Sequence, residues 1–141
     1  MFELHPQLAK DCVVLGDLAL SRVLLCKDSN YPWLILVPKR EEVREIHDLI
    51  KADQLQLIEE SSAVSVLLAE HFGADKMNVA ALGNMVPQLH LHHVVRFTDD
   101  AAWPKPIWGV VDSRPYSDQN LQKTITVLQQ KLAVLNFSEA Q

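Results

Sequence analysis

The chain has 141 residues, a net charge of −5, 48% hydrophobic and 22% charged residues, a length that suits one core and a composition that argues against long disorder. No run of Lys or Arg supplies the electrostatic footprint of a nucleic-acid or anionic-membrane binder, so neither is an expected partner and a small molecule or another protein is. The opening MFELHPQLAKDCVVLG lacks a basic segment leading into an apolar one, and no stretch reaches the roughly 18 apolar residues of a bilayer span; the expectation is a single cytoplasmic domain over residues 1–141.

Residues 11–37 read as β structure, in three runs: Cys12 to Leu15, Ser21 to Cys26 and Trp33 to Val37. Lys27-Asp28-Ser29-Asn30 is the turn between the last two, and Pro38 closes the third. Glu41 and Glu42 then precede Val43, Ile46 and Leu49 at helical spacing, which predicts a short helix over 41–49. Asp53 with Gln56 has the form of a capping box. Leu55, Ile58, Leu68 and Phe72 fall near one face of the helix behind it, which Gly73 terminates and which is the longest predicted. Strands follow at Asn78 to Leu82 and Gln88 to Phe97, around the turn Gly83-Asn84-Met85-Val86-Pro87.

Residues 99–116 carry Asp99, Asp100, three prolines and two tryptophans and predict an irregular loop. The segment Trp103 to Gly109 reads equally as a rim over a site or as a plug for the core. Ser117 caps a last helix on which Leu121, Ile125, Leu128, Leu132 and Leu135 recur at steps of four and three. That stripe covers the sheet in the simpler reading and forms a dimer seam in the other.

Cys12 and Cys26 sit in apolar, strand-like settings with no CxxC spacing and read as buried free thiols. His47 and His71 lie on predicted helices among charged neighbours and read as surface residues. Arg96, Lys39 and Arg40 read as surface salt-bridge partners.

One row concentrates chemistry. On a strand, Gln88, His90 and His92 project to one side and Leu89, Leu91 and His93 to the other. Alone, such a row also describes the wet face of an antiparallel sheet. Its neighbours are Asn78 and the small polar turn at Gly83-Asn84, where backbone N–H groups can approach an anion. Imidazoles, amides and backbone donors together suit the oxygens of a phosphate. A zinc site is not expected, because His93 points away and no Cys, Asp or Glu completes a ligand spacing; no cofactor is implied.

The block running from Asn78 through Gly83-Asn84-Met85-Val86-Pro87 to Gln88-Leu89-His90-Leu91-His92-His93-Val94-Val95-Arg96 resembles the signature of the histidine triad (HIT) superfamily. Leu34-Ile35-Leu36-Val37-Pro38-Lys39-Arg40 is similar to that family's strand ending in Pro-Lys, so the likeness spans about residues 20–110. The resemblance implies an α+β fold, an antiparallel sheet of about five strands with helices packed on it, paired as a homodimer. It implies a nucleotide or other phosphate-containing small molecule as ligand. His90 then corresponds to the nucleophile that forms a nucleotidyl-imidazole intermediate, His92 to the third triad position, which binds phosphate, and Gln88 to the first, which holds the site by hydrogen bonds. Asn78, Gly83 and Asn84 match positions that contact phosphate oxygens.

Four residues depart from the family pattern. Gln88 replaces a titratable histidine, Met85 a hydroxyl residue, Trp33 a histidine and His93 an apolar residue. Asp28 is the one candidate for an acidic ribose ligand. The expected function is that of a nucleotide phosphate hydrolase or nucleotidyl transferase acting through His90; the alternative is a non-catalytic binding module that keeps the phosphate pocket.

Overall fold

The computed structural model describes residues 1–141. A short helix α1 (Pro6–Asp11) leads into strands β1 (Cys12–Asp17), β2 (Ser21–Cys26) and β3 (Trp33–Pro38). Helix α2 (Lys51–Phe72), strands β4 (Lys76–Ala80) and β5 (Leu91–Arg96), helix α3 (Asp118–Leu132) and a two-residue strand β6 (Ser138–Glu139) follow. The strands form one antiparallel sheet in the order β4-β5-β3-β2-β1-β6. The α+β class is as expected from sequence; six strands stand where about five were expected, and β6 is the shortest of them.

Register sorts every strand residue to one of two faces. Leu34 pairs with His93 and Leu36 with Leu91, while Trp33 pairs with Val94 and Ile35 with His92. The first set joins Leu15, Val23, Leu25 and Val95 in the main core, which is closed by Leu57, Val64 and Leu68 of α2 and Leu128 and Leu132 of α3. The α3 stripe therefore covers the sheet, and Ser117 caps its helix by accepting from the Asn120 amide at 3.2 Å. The second face carries Cys12, Leu24, Cys26, Ile35 and Val37 under Leu8 and Val86, and Val94 with Tyr31, Ala102 and Ile107 beside them.

Three expectations are corrected. Only Ile46–Asp48 forms a helical turn where a helix over 41–49 was expected. Glu42 adopts a left-handed φ of 55°, the Val43 carbonyl accepts from Leu89 N at 2.9 Å, and Asp48 takes the amides of Arg44 and Glu45. Helix α2 begins at Lys51, so Asp53 lies inside its first turn and pairs with Arg40 at 2.7 Å instead of capping. Its inward face is Leu57, Glu60, Ser61, Val64 and Leu68, whereas Leu55 and Ile58 are more than half exposed. Glu60 turns inward because its carboxylate accepts the Leu20 and Ser21 amides at 2.8 and 3.0 Å; Ser61 does so to meet His93 Nε2 at 2.7 Å. Gly73 ends the helix in the left-handed conformation, as its sequence position implied.

Arg96 is also corrected: it is 1% exposed and forms a buried pair with Asp100 at 2.8 Å. Its guanidinium lies over the rings of Tyr31 and Trp103 and donates to Asn78 Oδ1 at 2.7 Å. Burial pushes the Asp100 carboxyl up, but the bonds from Arg96 and from the Phe97, Ala102 and Trp103 amides outweigh it and hold it at about 2. This pair anchors the start of the 99–116 loop. The far end is anchored by Asp28, whose carboxylate accepts the Arg114 amide at 3.2 Å.

Candidate active site

Strand β5 positions two imidazoles on the face opposite α2. His90, just before the strand, and His92, within it, are each 6% exposed, with ring centroids 4.9 Å apart. His90 Nδ1 lies 2.7 Å from the Gln88 carbonyl oxygen. A carbonyl only accepts, so Nδ1 carries the proton and Nε2 keeps a free lone pair.

His92 is fixed in the opposite sense. The Trp33 indole N–H donates to His92 Nδ1 at 3.0 Å, which leaves the ring proton on Nε2. Burial, followed by the neighbouring His90 and His93, pushes the His92 pKa down to about 3, so the ring is neutral near pH 7. Trp108, from the 99–116 loop, packs edge-on against His92 at 5.0 Å and against Trp33 at 6.1 Å. His92 is thus held by His90 and two indoles.

These rings open into a cleft of about 610 Å³ lined by Gly83, Asn84, Met85 and Val86 on one side, Gln7, Leu8 and Asp11 of α1 on another, and Cys12, Cys26, Trp33 and Ile35 at its base. No Lys or Arg lines it. The polar residues of its lining include Asn84 and His92, and Gly83 beside them has a φ of 75°, the left-handed backbone that glycine adopts freely.

Of the residues singled out from sequence, His90, His92, Gly83 and Asn84 share this cleft. Gln88 and Asn78 are not among its lining residues. The Gln88 side chain accepts from His5 N and donates to the Glu3 carbonyl, both at 2.9 Å, and the Asn78 oxygen is taken by Arg96. Asp28 bonds Asn30 and Arg114 and also lies outside the lining. His93 points to the α2 side, as alternation requires. Met85 stands at the cleft and is 92% exposed. His71 lies exposed beside Phe72 on α2, and His47 is exposed in the 46–48 turn.

The sequence reading missed the α1 wall, although Pro6 behind His5 is a helix-start signal: His5 Nδ1 caps α1 by accepting from Gln7 N. It also missed that Cys12 and Cys26 face one another across β1 and β2. No group of three or more His, Cys, Asp or Glu side chains converges as a metal site.

The HIT domain model matches residues 7–99. A histidine triad protein from Marinobacter aquaeolei is 50% identical to this chain, over 96% of this chain and 98% of that one, with a TM-score of 0.93. Another from Bradyrhizobium japonicum is 49% identical over 92% and 97%, with a TM-score of 0.90. One from Sinorhizobium meliloti is 36% identical over 94% and 98%, again at 0.90. No curated protein matches. The chain belongs to the histidine triad family. No helix is long and apolar enough to cross a membrane.

Proposed function

We propose that the protein is a nucleotidyl hydrolase or transferase whose nucleophile is His90 Nε2. The observation that carries this reading is the 2.7 Å bond from His90 Nδ1–H to the Gln88 carbonyl, which frees Nε2 and stabilises the positive charge the ring develops as it attacks. The Nε2 lone pair forms a bond to the α-phosphorus of a nucleotide while the bond to the leaving group breaks. The His92 Nε2–H and the Asn84 amide hold non-bridging oxygens. Water then displaces the imidazole from phosphorus, releasing a nucleoside monophosphate and restoring His90.

His92 does not serve as the acid for the leaving group, since its burial keeps it neutral, and Met85 has no proton to give. The leaving group therefore takes its proton from solvent. The absence of lining cations favours a ligand with one charged phosphate at the reacting centre over a long polyphosphate chain.

The test is turnover of adenosine phosphoramidate and of dinucleoside polyphosphates by wild type and His90→Ala, with intact-mass detection of a nucleotidylated protein. Loss of roughly a thousandfold or more in the variant is expected; undiminished turnover overturns the assignment. The positions of Gln88 and Met85 favour one second reading, a binding module without turnover. Stabilisation by nucleotides in a thermal melt, with neither adduct nor product, would establish it.

Pairing as a homodimer belongs to the same reading. Its support is that β4 is an unpaired edge beside β5 and that Val79 on it is 48% exposed. Light scattering is expected to give twice the chain mass; a single chain mass overturns it.

A further inference from the structure

Cys12 and Cys26 are separated by thirteen residues in sequence, yet they are direct register partners in the β1–β2 ladder. The preceding pair is hydrogen-bonded, with Lys27 N donating to the Asp11 carbonyl at 3.0 Å. The Cys12 amide donates back to Leu8 of α1 and not across the ladder. Cys12 and Cys26 thus occupy a non-hydrogen-bonded position, where opposed Cα atoms lie about 4.5 Å apart. A disulfide needs Cα atoms about 4.4 to 6.8 Å apart, so a bridge forms here without moving a strand.

Both thiols are free, almost buried, and line the cleft that holds His90 and His92. Around them the lining is Leu8, Ile35 and Val86, which leaves the cleft as the route for a small oxidant.

We infer that Cys12 and Cys26 are a reversible oxidation site, forming a cross-strand disulfide in the wall of the cleft when a peroxide reaches them. The Cys26 sulfur attacks a peroxide oxygen, the O–O bond breaks, and Cys26 becomes a sulfenic acid with release of one water. The Cys12 sulfur then attacks Cys26 sulfur and displaces hydroxide, which takes the Cys12 proton and leaves as a second water. Two thiols lose two electrons in all and one peroxide gains them. We take Cys26 as the first to react because the facing Cys12 sulfur, ahead of burial, lowers the Cys26 thiol, while the same neighbour raises that of Cys12. Against burial, which raises it, the Asp28 backbone lowers Cys26 further.

The test is stoichiometric hydrogen peroxide on the reduced, full-length protein, followed by denaturation, maleimide alkylation, intact mass and peptide mapping. The expected result is loss of two hydrogens, no alkylation, one peptide linked through Cys12 and Cys26, and recovery of two alkylated thiols after dithiothreitol. In Cys12→Ser given excess peroxide, a second equivalent is expected to carry Cys26 past the sulfenic acid to the sulfinic acid, because no resolving thiol remains. Wild-type protein that still takes up two maleimides, carries oxygen adducts on separate cysteines, or forms disulfide-linked dimers overturns the proposal. These readouts do not depend on nucleotide turnover.

Discussion

Trp33 donates to His92 Nδ1 and cannot accept or titrate in return. The direction of the bond is set, and with it the nitrogen that carries the His92 proton. Trp33→Phe keeps an aromatic ring but removes the donor. About fivefold loss of kcat is expected under the proposed function, on the order of the 1 kcal/mol of one hydrogen bond, together with both His92 tautomers in nitrogen-15 NMR spectra. Burial also pushes His93 down to about 4 and His92 to about 3, from an ordinary 6.5. Between those values and 6.5 the unfolded chain binds protons that the folded one refuses, so stability is complete above about pH 6.5 and falls as pH drops toward 4. Urea titrations at pH 7 and pH 4.5 are expected to differ by a few kcal/mol, roughly, with a shallower acid slope in His93→Gln. The motif made His90 and His92 legible as neighbours, although β5 begins only at Leu91 and Gln88, from the same expected row, lies outside the cleft. Gln88 and Asn78 were legible as polar neighbours only; their partners, the N-terminal backbone and Arg96, are 85 and 18 residues away, and spacing carries no record of such choices.

Helix α2 illustrates what hydrophobic periodicity conceals. Its inward positions include a carboxylate and a hydroxyl, so a search for apolar residues shifted the predicted face toward Leu55 and Ile58. Glu60→Ala strips the Leu20 and Ser21 amides of their acceptor inside the protein. A loss of about 2 to 4 kcal/mol is expected, visible as a lower urea midpoint at unchanged slope. Strand β6 is held by a different device. A side-chain carbon at Gly16 would meet the Phe137 ring at 2.6 Å as well as the Ser138 backbone. Gly16→Ala is therefore expected to release β6 and to raise hydrogen exchange at Ala140 N, which bonds the Leu15 carbonyl at 2.9 Å. Strands β1, β2 and β3 were legible because each is a largely apolar run bounded by turns, and β5 because apolar residues flank its histidines. The 41–49 segment was not, because its helical spacing is overruled by the Val43–Leu89 bond, and β6 is too short to show a pattern.

The sheet divides the molecule into a side that is packed and a side that is equipped. Helices α2 and α3 close the first, while α1, the 83–86 turn and the 99–116 loop wall the second. That loop stays in place through the buried Arg96–Asp100 pair, and Asp100→Ala leaves a buried guanidinium without its partner. About 3 to 5 kcal/mol of destabilisation is expected on calorimetry, along with loss of the Trp108 contact to His92 in its fluorescence. Since the cleft has no lining cation, the proposed nucleotide binding is expected to change in affinity by less than about threefold over a tenfold range of salt, as titration calorimetry can measure. The overall class was legible from the order of strand and helix patterns; the pairing of Cys12 with Cys26 was not, because register is a property of two strands at once.

The bond that orients His90 comes from the main chain of residue 88, while the side chain of the same residue ties down Glu3 and His5. Main-chain carbonyls do not change when a codon does. The Gln88 side chain is thereby left free of the His90 ring, and it fastens the beginning of the chain. Under the proposed function, a count of histidines says less about this site than what holds each remaining ring nitrogen.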